Sequence, residues 1–565
     1  MSIFGSIQMA GNTLQAMEIG LHVVGNNISN ANTPGYVRER VLYTPAPVQK
    51  LGNLTLGLGV EIAGIVQNID AFVEDRLRGV AGDRASADIQ QKVYQDLESI
   101  IGELSDTDVS TALTNFFNSI DEVVNQPEEM SVRNLAVQAG KSLATTINTL
   151  SRRVNTAYEE FGIEVNNLTT EINSLTEEIR KLNIQIVSLE GGNPTGSQAG
   201  ALRSQRGAAL KRLAEITDVK STESAVGAVN VTIGGELLVF EGTRRAVQTA
   251  YGTNNGRPTA SIEFADNGSP LHVAGGEIHG LYESRDRIVG GFLDKLDAFA
   301  AALAFEFNKI YSQGQGATGF SSVTSQEAVS DPFAVLDAAG LPFTPHNGTF
   351  NLLVYNSTTK LTQTHVIKVD LDGLNGDSTL ASLVGQLDGI AGVAAEVTAD
   401  NHLKIRTESA ETQLSFADDS SGFLAAIGIN TFFTGSTAKD LSVNAVVAAD
   451  GSKFAASSKG VGVNIENAQR LIALHDSGLS TLNGNSITGL YDQLINETAE
   501  GATVAGSLAD GFSVFEQTLE AKAQAVSGVN LDEEAIDMIM LQRTYQASAR
   551  FISTLSDLMD VLVSL

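Results

Sequence analysis

The chain has 565 residues, of which 42% are apolar and only 6% aromatic, with no Trp and no Cys. Its 66 acidic residues against 36 basic ones give a formal charge of −30, which disfavours nucleic acid and anionic membrane surfaces as partners. The missing cysteines exclude disulfides, thiolate catalysis and cysteine-ligated metals. At roughly 150 residues per domain the length suggests about four units, and no window of about twenty apolar residues predicts a membrane span.

The first element is a helix with its apolar residues at Ile3, Ile7, Ala10, Leu14, Met17, Leu21, Val24 and Ile28, in steps that alternate 4 and 3. This is a heptad seam, and it needs a partner helix. Periodic instead of clustered apolar residues, with no basic stretch before them, predict no cleaved Sec signal. Pro34 pushes Thr33 out of the α region, and Pro34-Gly35 suits the centre of a type II turn that presents Tyr36.

Residues 41 to 70 carry Pro45, Pro47, Gly52, Gly57, Gly59 and Gly64 between short β-branched pieces, which reads as an extended connector. Helical periodicity returns from about residue 71 through Val93, Leu97, Ile100 and Leu104. A cap at Asp106 or Thr107 then opens a helix through Val109, Leu113, Phe116, Ile120 and Val123 that Pro127 ends. The longest run spans 131 to 190, through Ile147, Leu150, Val154, Ala157, Phe161, Val165, Leu168, Ile172, Leu175, Ile179, Leu182, Ile186 and Leu189. Two consecutive steps of four across Phe161 predict a local unwinding of the supercoil. Gly191-Gly192-Asn193-Pro194 stops the run. A shorter helix follows through Leu202, Leu210, Leu213 and Ile216.

The period then switches to two. Val229, Val231 and Ile233, Gly234-Gly235, and Leu237 to Phe240 predict a hairpin, with further strands at Ser261 to Phe264 and Leu271 to Val273. A helix is expected from Leu281 to Gln313 through Ile288, Phe292, Leu296, Phe299, Leu303, Phe307 and Ile310. A second β-rich stretch runs from 320 to 450, with strands at Asn351 to Tyr355, His365 to Asp370, Glu396 to Thr398, Leu403 to Thr407 and Gln413 to Phe416. Helices are again expected over 464 to 475 and 486 to 520. The C-terminal helix repeats the heptad device: one position carries Leu531, Met538, Tyr545, Ile552 and Met559, the other Glu534, Leu541, Ser548, Leu555 and Leu562. Glu534 and Ser548 are its weak members. Asn530 with Glu533 resembles a capping box, and Asp532, Glu533 and Glu534 favour the positive end of the helix dipole.

The fold class these elements predict is α+β and multidomain: terminal helices in a coiled-coil layer, a long-helix bundle and β-rich insertions. The expected boundaries are 1–40 with 521–565 for the terminal domain, 41–216 with 275–319 and 451–520 for the bundle and its connector, and 217–274 and 320–450 for the insertions.

Chemistry is not expected. His272 and His279 lie too far apart for a helical metal pair and read as exposed strand and loop residues. Asp370, Asp372 and Asp377 imitate a calcium loop that lacks its terminal Glu, so a strand-to-helix turn is the stronger reading. Gly57-Leu58-Gly59-Val60-Glu61-Ile62 fails the dinucleotide pattern, and Asn27-Ile28-Ser29 lies on the seam helix, where a glycosylation acceptor is out of place. His475, Asp476 and Ser477 are adjacent in sequence, which seldom gives triad geometry. No catalytic residue, cofactor or metal site is therefore assigned.

Two segments carry a family resemblance. Ala31-Asn32-Thr33-Pro34-Gly35-Tyr36 after a terminal helix resembles the signature shared by bacterial flagellar rod, hook and hook-associated proteins. Ser527 to Glu534, followed by Leu541-Gln542-Arg543-Thr544-Tyr545-Gln546-Ala547-Ser548-Ala549-Arg550, narrows the resemblance to the hook-associated members, and Phe423 to Gly428 is similar to a segment of axial proteins. Val37 departs from the small hydroxyl residue more usual before the basic Arg38, and Arg206-Gly207 stands where Arg-Asp is usual.

The resemblance implies an extracellular structural subunit, exported by the flagellar type III route without a cleaved signal. It would form a homo-oligomeric ring at the distal end of the hook, as the junction to the filament. The implied partners are hook protein, the next junction protein and an export chaperone near the C-terminus, with no nucleic acid and no membrane insertion. A hook or distal rod protein is the alternative; the long run over 131–190 argues against it. A secreted adhesin or a peptidoglycan hydrolase would need a catalytic-looking or adhesive insertion. The assembly-interface residues expected are Ile3, Ile7, Leu14, Met17, Leu21, Val24, Ile28, Pro34, Gly35, Tyr36, Leu531, Met538, Leu541, Tyr545, Ile552, Leu555, Met559 and Leu562.

Overall fold

The computed structural model describes residues 3–51, 54–102, 108–192, 196–374 and 376–564, the side chains of Ile3, Leu51, Leu54 and Leu562 excepted. In chain order its helices are α1 (Ile3–Ser29), α2 (Ala71–Ile101), α3 (Val109–Asn125), α4 (Met130–Glu190), α5 (Gly200–Ile216), α6 (Gly276–Glu283), α7 (Gly290–Tyr311), α8 (Leu380–Asp388), α9 (Phe423–Ile427), α10 (Ala445–Ala449), α11 (Glu466–Ala473), α12 (Ile487–Ser527) and α13 (Leu531–Ser564). Antiparallel strands fill the spaces between them, so the chain is α+β and multidomain. Two compact units emerge: Met1–Val93 with Glu159–Arg285 and Thr503–Leu565, and Tyr94–Tyr158 with Asp286–Ala502.

α4 is unbroken for 61 residues, about 90 Å at 1.5 Å per residue. Its buried row runs Val154, Tyr158, Phe161 and Val165. Tyr158, and not Ala157, occupies the seam, which moves the two consecutive steps of four from Phe161 to Val154. At its end Leu189 is 72% exposed while Glu190 faces inward, because the Arg203 guanidinium at 2.7 Å and the Ala199 N–H satisfy its carboxylate. Gly191 and Gly192 take φ of +60° and +73°, and the Gly192 N–H returns to the Val187 carbonyl, closing the helix. Asn193 and Pro194 lie outside the described residues, as do Leu104, Asp106 and Thr107. α3 is capped by Asp108, whose carboxylate accepts the Thr111 N–H at 2.5 Å.

In the first unit, Val165, Ile172, Ile179 and Ile186 of α4 are wholly buried at heptad spacing. The four-stranded sheet Val219–Glu223, Val229–Ile233, Glu236–Phe240, Thr243–Arg244 and the hairpin Val247–Asn254 with Arg257–Phe264 belong to the same unit. The hairpin turn at Gly234 and Gly235 has φ of +55° and +86° at the two positions, as a type I′ turn demands. Two asparagines of α4 dock these strands. Asn173 donates to the Val247 carbonyl at 2.7 Å and accepts its N–H at 3.0 Å, and Asn183 does the same for Val229 at 2.7 and 3.0 Å. The strands at 219–223 and 247–254 escape the alternation rule because Lys220, Glu223 and Gln248 interrupt their apolar signal. Leu271 to Val273 is not a strand; only a backbone bond from the Leu271 N–H to the Ile262 carbonyl ties it to the hairpin.

The helix expected over 281–313 is two helices, α6 and α7, joined by a π-helical stretch at Ser284–Val289. The wider turn takes in buried polar Ser284 and Arg285, and Arg285 donates to the Ala260 carbonyl at 2.6 Å. His279 rides on α6 with Nδ1 3.3 Å from Ser86 Oγ, half-buried instead of in an exposed loop.

The second unit is built on rings. Phe116, Phe307, Tyr311 and Phe432 are fully buried, with Phe116 to Phe307 centroids 5.2 Å apart and Phe307 to Phe432 5.3 Å apart. A Cβ on Gly140 of α4 would stand 2.5 Å from the Phe432 ring, so only glycine lets the helix press on it. Beyond them, Gly348–Asn356 lies between Thr362–Val369 and Thr412–Ala417, and Leu403–Thr407 between Ser322–Thr324 and Val393–Val397. These two three-stranded sheets share one core with α8, formed by Phe350, Leu352, Leu383, Leu387, Ile405 and Phe416. Asp372 and Asp377 accept the N–H groups of Leu374 and Gly373 and thereby organise the strand-to-helix turn before α8.

Gly207 sits exposed in the middle of α5 with nothing within 4 Å of the position a Cβ would take. Gly207→Ala should therefore stabilise the protein by about 0.5–1 kcal/mol. A melting temperature that is unchanged or lower than that of the parent would contradict this.

Candidate assembly interface

The two terminal helices meet each other. Asn27 of α1 bonds Glu534 of α13, and seven residues earlier Gly20 lies against Leu541, so the pair runs antiparallel. Met17, Val24 and Leu541 form a buried core with Ala16, and Leu21, Ile28 and Met538 pack on it beside Val60 and Ile62 of the strand Val60–Gln67. Leu555 is buried further along; Ile7, Leu14, Ile552 and Met559 are half-buried. Leu531 and Tyr545 stand 51% and 38% exposed, and Pro34 and Gly35 are exposed on the turn. The side chains of Ile3 and Leu562 fall outside the described residues.

A row of small residues brings the elements this close. Ala16, Gly20 and Val23 are buried one position away from the expected seam. A Cβ on Gly20 would come within 2.5 Å of the Tyr43 hydroxyl and 3.2 Å of Leu541. Counting only large apolar residues overlooks this row.

The turn after α1 is locked by polar contacts. The Tyr36 N–H returns to the Thr33 carbonyl at 3.1 Å, and Gly35 has φ of +75°, the type II geometry expected. Tyr36 then folds back and donates to Asn27 Oδ1 at 2.9 Å. The same oxygen accepts the Glu39 N–H at 3.0 Å, while Asn27 Nδ2 donates to the Glu39 carbonyl at 2.9 Å and to Glu534 Oε2 at 3.1 Å. Asn27 is 1% exposed, and every hydrogen-bonding site of its amide is used. Its buried amide is a structural clamp and no glycosylation site.

Glu534 is equally buried, although it is the weak seam member by sequence. Arg38 compensates it, with Nε 2.7 Å from its carboxylate, a second arm 2.9 Å from Glu533 and a third 3.7 Å from Asp537. The Arg38 N–H also donates to the Ser527 carbonyl at the end of α12. Glu533 thus turns to Arg38 in place of closing a capping box; Asn530 alone caps α13, through the Asp532 N–H at 3.0 Å. Burial, with Glu39 and then Glu534 nearby, pushes the Tyr36 hydroxyl up to about 12. Its folded value exceeds the unfolded one, so its contribution is complete below pH 10 and is lost as pH rises toward 12. Asn27, Arg38 and Glu534 were the residues to find, and one signal existed: Arg38 is the first Lys or Arg of the chain, and Glu534 the one charged residue in the far seam.

Of the other sequence candidates, Asp370, Asp372 and Asp377 bring carboxylate oxygens within 4.8 Å of one another in the turn before α8. His475 Nδ1 bonds Asp476 at 2.7 Å, but its ring stacks edge-on to Phe117, with centroids 4.9 Å apart. Among the described residues no helix is long and apolar enough to cross a membrane.

Asn27→Asp places a carboxylate oxygen against Glu534 and should cost about 3 kcal/mol or more. Amide exchange would show it as faster exchange in α1 and α13 with protection around Phe116 and Phe307 unchanged. Adding Glu534→Gln, which restores a donor, should recover most of the protection, and no recovery would refute the clamp.

Three family models match the chain. That of the flagellar hook-associated protein FlgK helical domain covers residues 94–324, that of the flagella basal body rod protein 7–36, and that of the flagellar basal body rod FlgEFG protein C-terminal 521–565. The flagellar hook-associated protein 1 of Bacillus subtilis (strain 168) is 24% identical over 578 residues, covering 100% of this chain and 98% of its own length. That of Escherichia coli (strain K12) is 22% identical over 580 residues, with 99% of each covered. The flagellar hook junction protein FlgK from Burkholderia pseudomallei superposes with a TM-score of 0.53 at 15% identity, over 80% of this chain and 100% of that one, and so shares the fold. With the rod-type signatures at both ends and the hook-associated helical domain between them, the chain is similar along nearly its whole length to flagellar hook-associated protein 1.

Proposed function

We propose that this chain polymerises as a short ring at the distal end of the hook and joins the hook to the filament. The single observation that carries this reading is the antiparallel pair of α1 and α13, clamped at Asn27, Arg38 and Glu534 while much of α13 stays exposed. Such a pair is a prefabricated building block: two helices hold one another in register and keep apolar surface for neighbours. The seam residues named from the sequence, with the turn at Pro34, Gly35 and Tyr36, form the assembly interface.

In this reading residues 1–40 and 521–565 act as the terminal assembly domain, and the insertions at 217–274 and 320–450 face outward and tolerate change. Hook protein and the next junction protein are the neighbours below and above. The subunit leaves the cell through the flagellar type III route, escorted by a chaperone that holds its C-terminal helix. It catalyses nothing; the matched relatives are structural proteins.

Cells lacking the chain should carry hooks without filaments and shed flagellin into the medium, seen by electron microscopy and by immunoblot of the supernatant. Normal filaments on such cells would refute the junction role. Leu14→Asp or Leu555→Asp should abolish incorporation at the hook tip while the rings around Phe116 and Phe307 stay folded, because each puts a charge into the terminal seam. Hooks bearing filaments in either strain would contradict the interface.

A further inference from the structure

α13 has a second apolar face. Ile536, Met540, Phe551, Leu558 and Val561 are 65%, 56%, 42%, 52% and 57% exposed. At 100° per residue they cluster roughly 100° around the helix from the Leu541 to Leu555 row that α1 covers. Their repeat is that of a coiled-coil seam, so the surface that fits them is another helix. α1 of the same chain is already engaged with the Leu541 to Leu555 row.

The charges say which helix. Arg543 and Arg550 are the only charged residues between Met538 and Ser556; both are exposed, and neither has an ion-pair partner among the described residues, in a chain with 66 acidic groups. α1 carries the reciprocal pattern. Its outward residues Phe4, Gln8, Gly11, Gln15, Glu18 and His22 repeat in alternating steps of 4 and 3. Glu18 is its one acidic residue, exposed and without an ion-pair partner among the described residues, and α1 holds no Lys or Arg. The level matches too. Since Gly20 lies against Leu541 in the antiparallel pair, Glu18 stands level with Arg543, the two on outward faces. A second copy set beside the first at the same height brings its Glu18 to Arg543.

We infer that a second seam joins successive copies: the outer face of α13 in one copy receives the outward face of α1 in the next, with Glu18 paired to Arg543. The contact is heterologous, one face against a different face, and it propagates around a ring or helix. It rests on the assembly role proposed above and specifies the partner surface.

The chain has no cysteine, which makes the test clean. Full-length Glu18→Cys and Arg543→Cys proteins, mixed and driven to polymerise at high concentration, should give a disulfide-linked dimer on oxidation. The same mixture held as dilute monomer should give none. Polymer without the dimer overturns the seam. In parallel, Glu18→Arg and Arg543→Glu alone should each lower polymerisation at least tenfold, and the double variant Glu18→Arg/Arg543→Glu should return to within about threefold of the parent. Single variants that polymerise normally overturn the seam. So does a double variant as poor as the singles, provided amide exchange shows its α1 and α13 as protected as in the parent. Because the polymer is scored in vitro, a cross-linked polymer from a chain absent from hook tips would refute the location and keep the seam.

Discussion

Wherever an incoming peptide meets the side of a helix in this chain, its N–H and C=O need partners that a helix backbone does not offer. Among the described residues one device answers that need five times. Asn27 grips Glu39, Asn173 grips Val247, Asn183 grips Val229 and Asn308 grips Phe433, and in each case the side-chain amide accepts the N–H and donates to the carbonyl of a single residue. Gln386 does the same for Lys368. An amide has the donor and acceptor of a peptide group, so it stands in for a neighbouring strand. Leaving such groups buried and unpaired costs about 1–3 kcal/mol each, more than a made bond contributes. The nested chain, which threads β insertions between helices, depends on this substitution.

At the termini the device gains a second task. Asn27 reads Glu39 in the local connector and Glu534 at the far end of the chain through the same nitrogen. A buried carboxylate is costly without compensation, and Arg38 supplies it from three residues beyond Gly35. The turn fixes Arg38, Arg38 neutralises Glu534, and Glu534 holds Asn27, which in turn accepts the Tyr36 hydroxyl. The type II turn and the start of α13 are thus one cooperative element, although nearly five hundred residues separate them in sequence.

This explains what could be read in advance. The heptads of α1, α4 and α13 are legible because large apolar side chains recur where the helix faces a partner. Pro34-Gly35, Gly191-Gly192 and Gly234-Gly235 are legible because only glycine takes positive φ freely. The clamp is not, since Asn27 and Glu534 look like defects in an apolar pattern, and their value appears only when the residue opposite is known. Ala16 and Gly20 are missed for a related reason: a contact made by the absence of a side chain leaves no hydrophobic signal. The π-helical stretch between α6 and α7 keeps the apolar spacing on both sides and so reads as one helix.

The charge of −30 bears unevenly on these surfaces. From Ile3 to Ser29 there is one charged group at neutral pH, Glu18, and from Met538 to Ser556 there are two, Arg543 and Arg550. The acidic groups of α13, Asp532, Glu533, Glu534, Asp537, Asp557 and Asp560, lie towards its two ends, outside this central stretch. Repulsion between copies is therefore weakest along these central stretches of α1 and α13, and screening confines it to about 8–10 Å at moderate ionic strength. Dispersion and water release act only at contact, where the hairpin presents apolar stripes and a few opposite charges. The distribution keeps free copies apart at most orientations and leaves the central stretches of the terminal helices as the place where approach is least opposed.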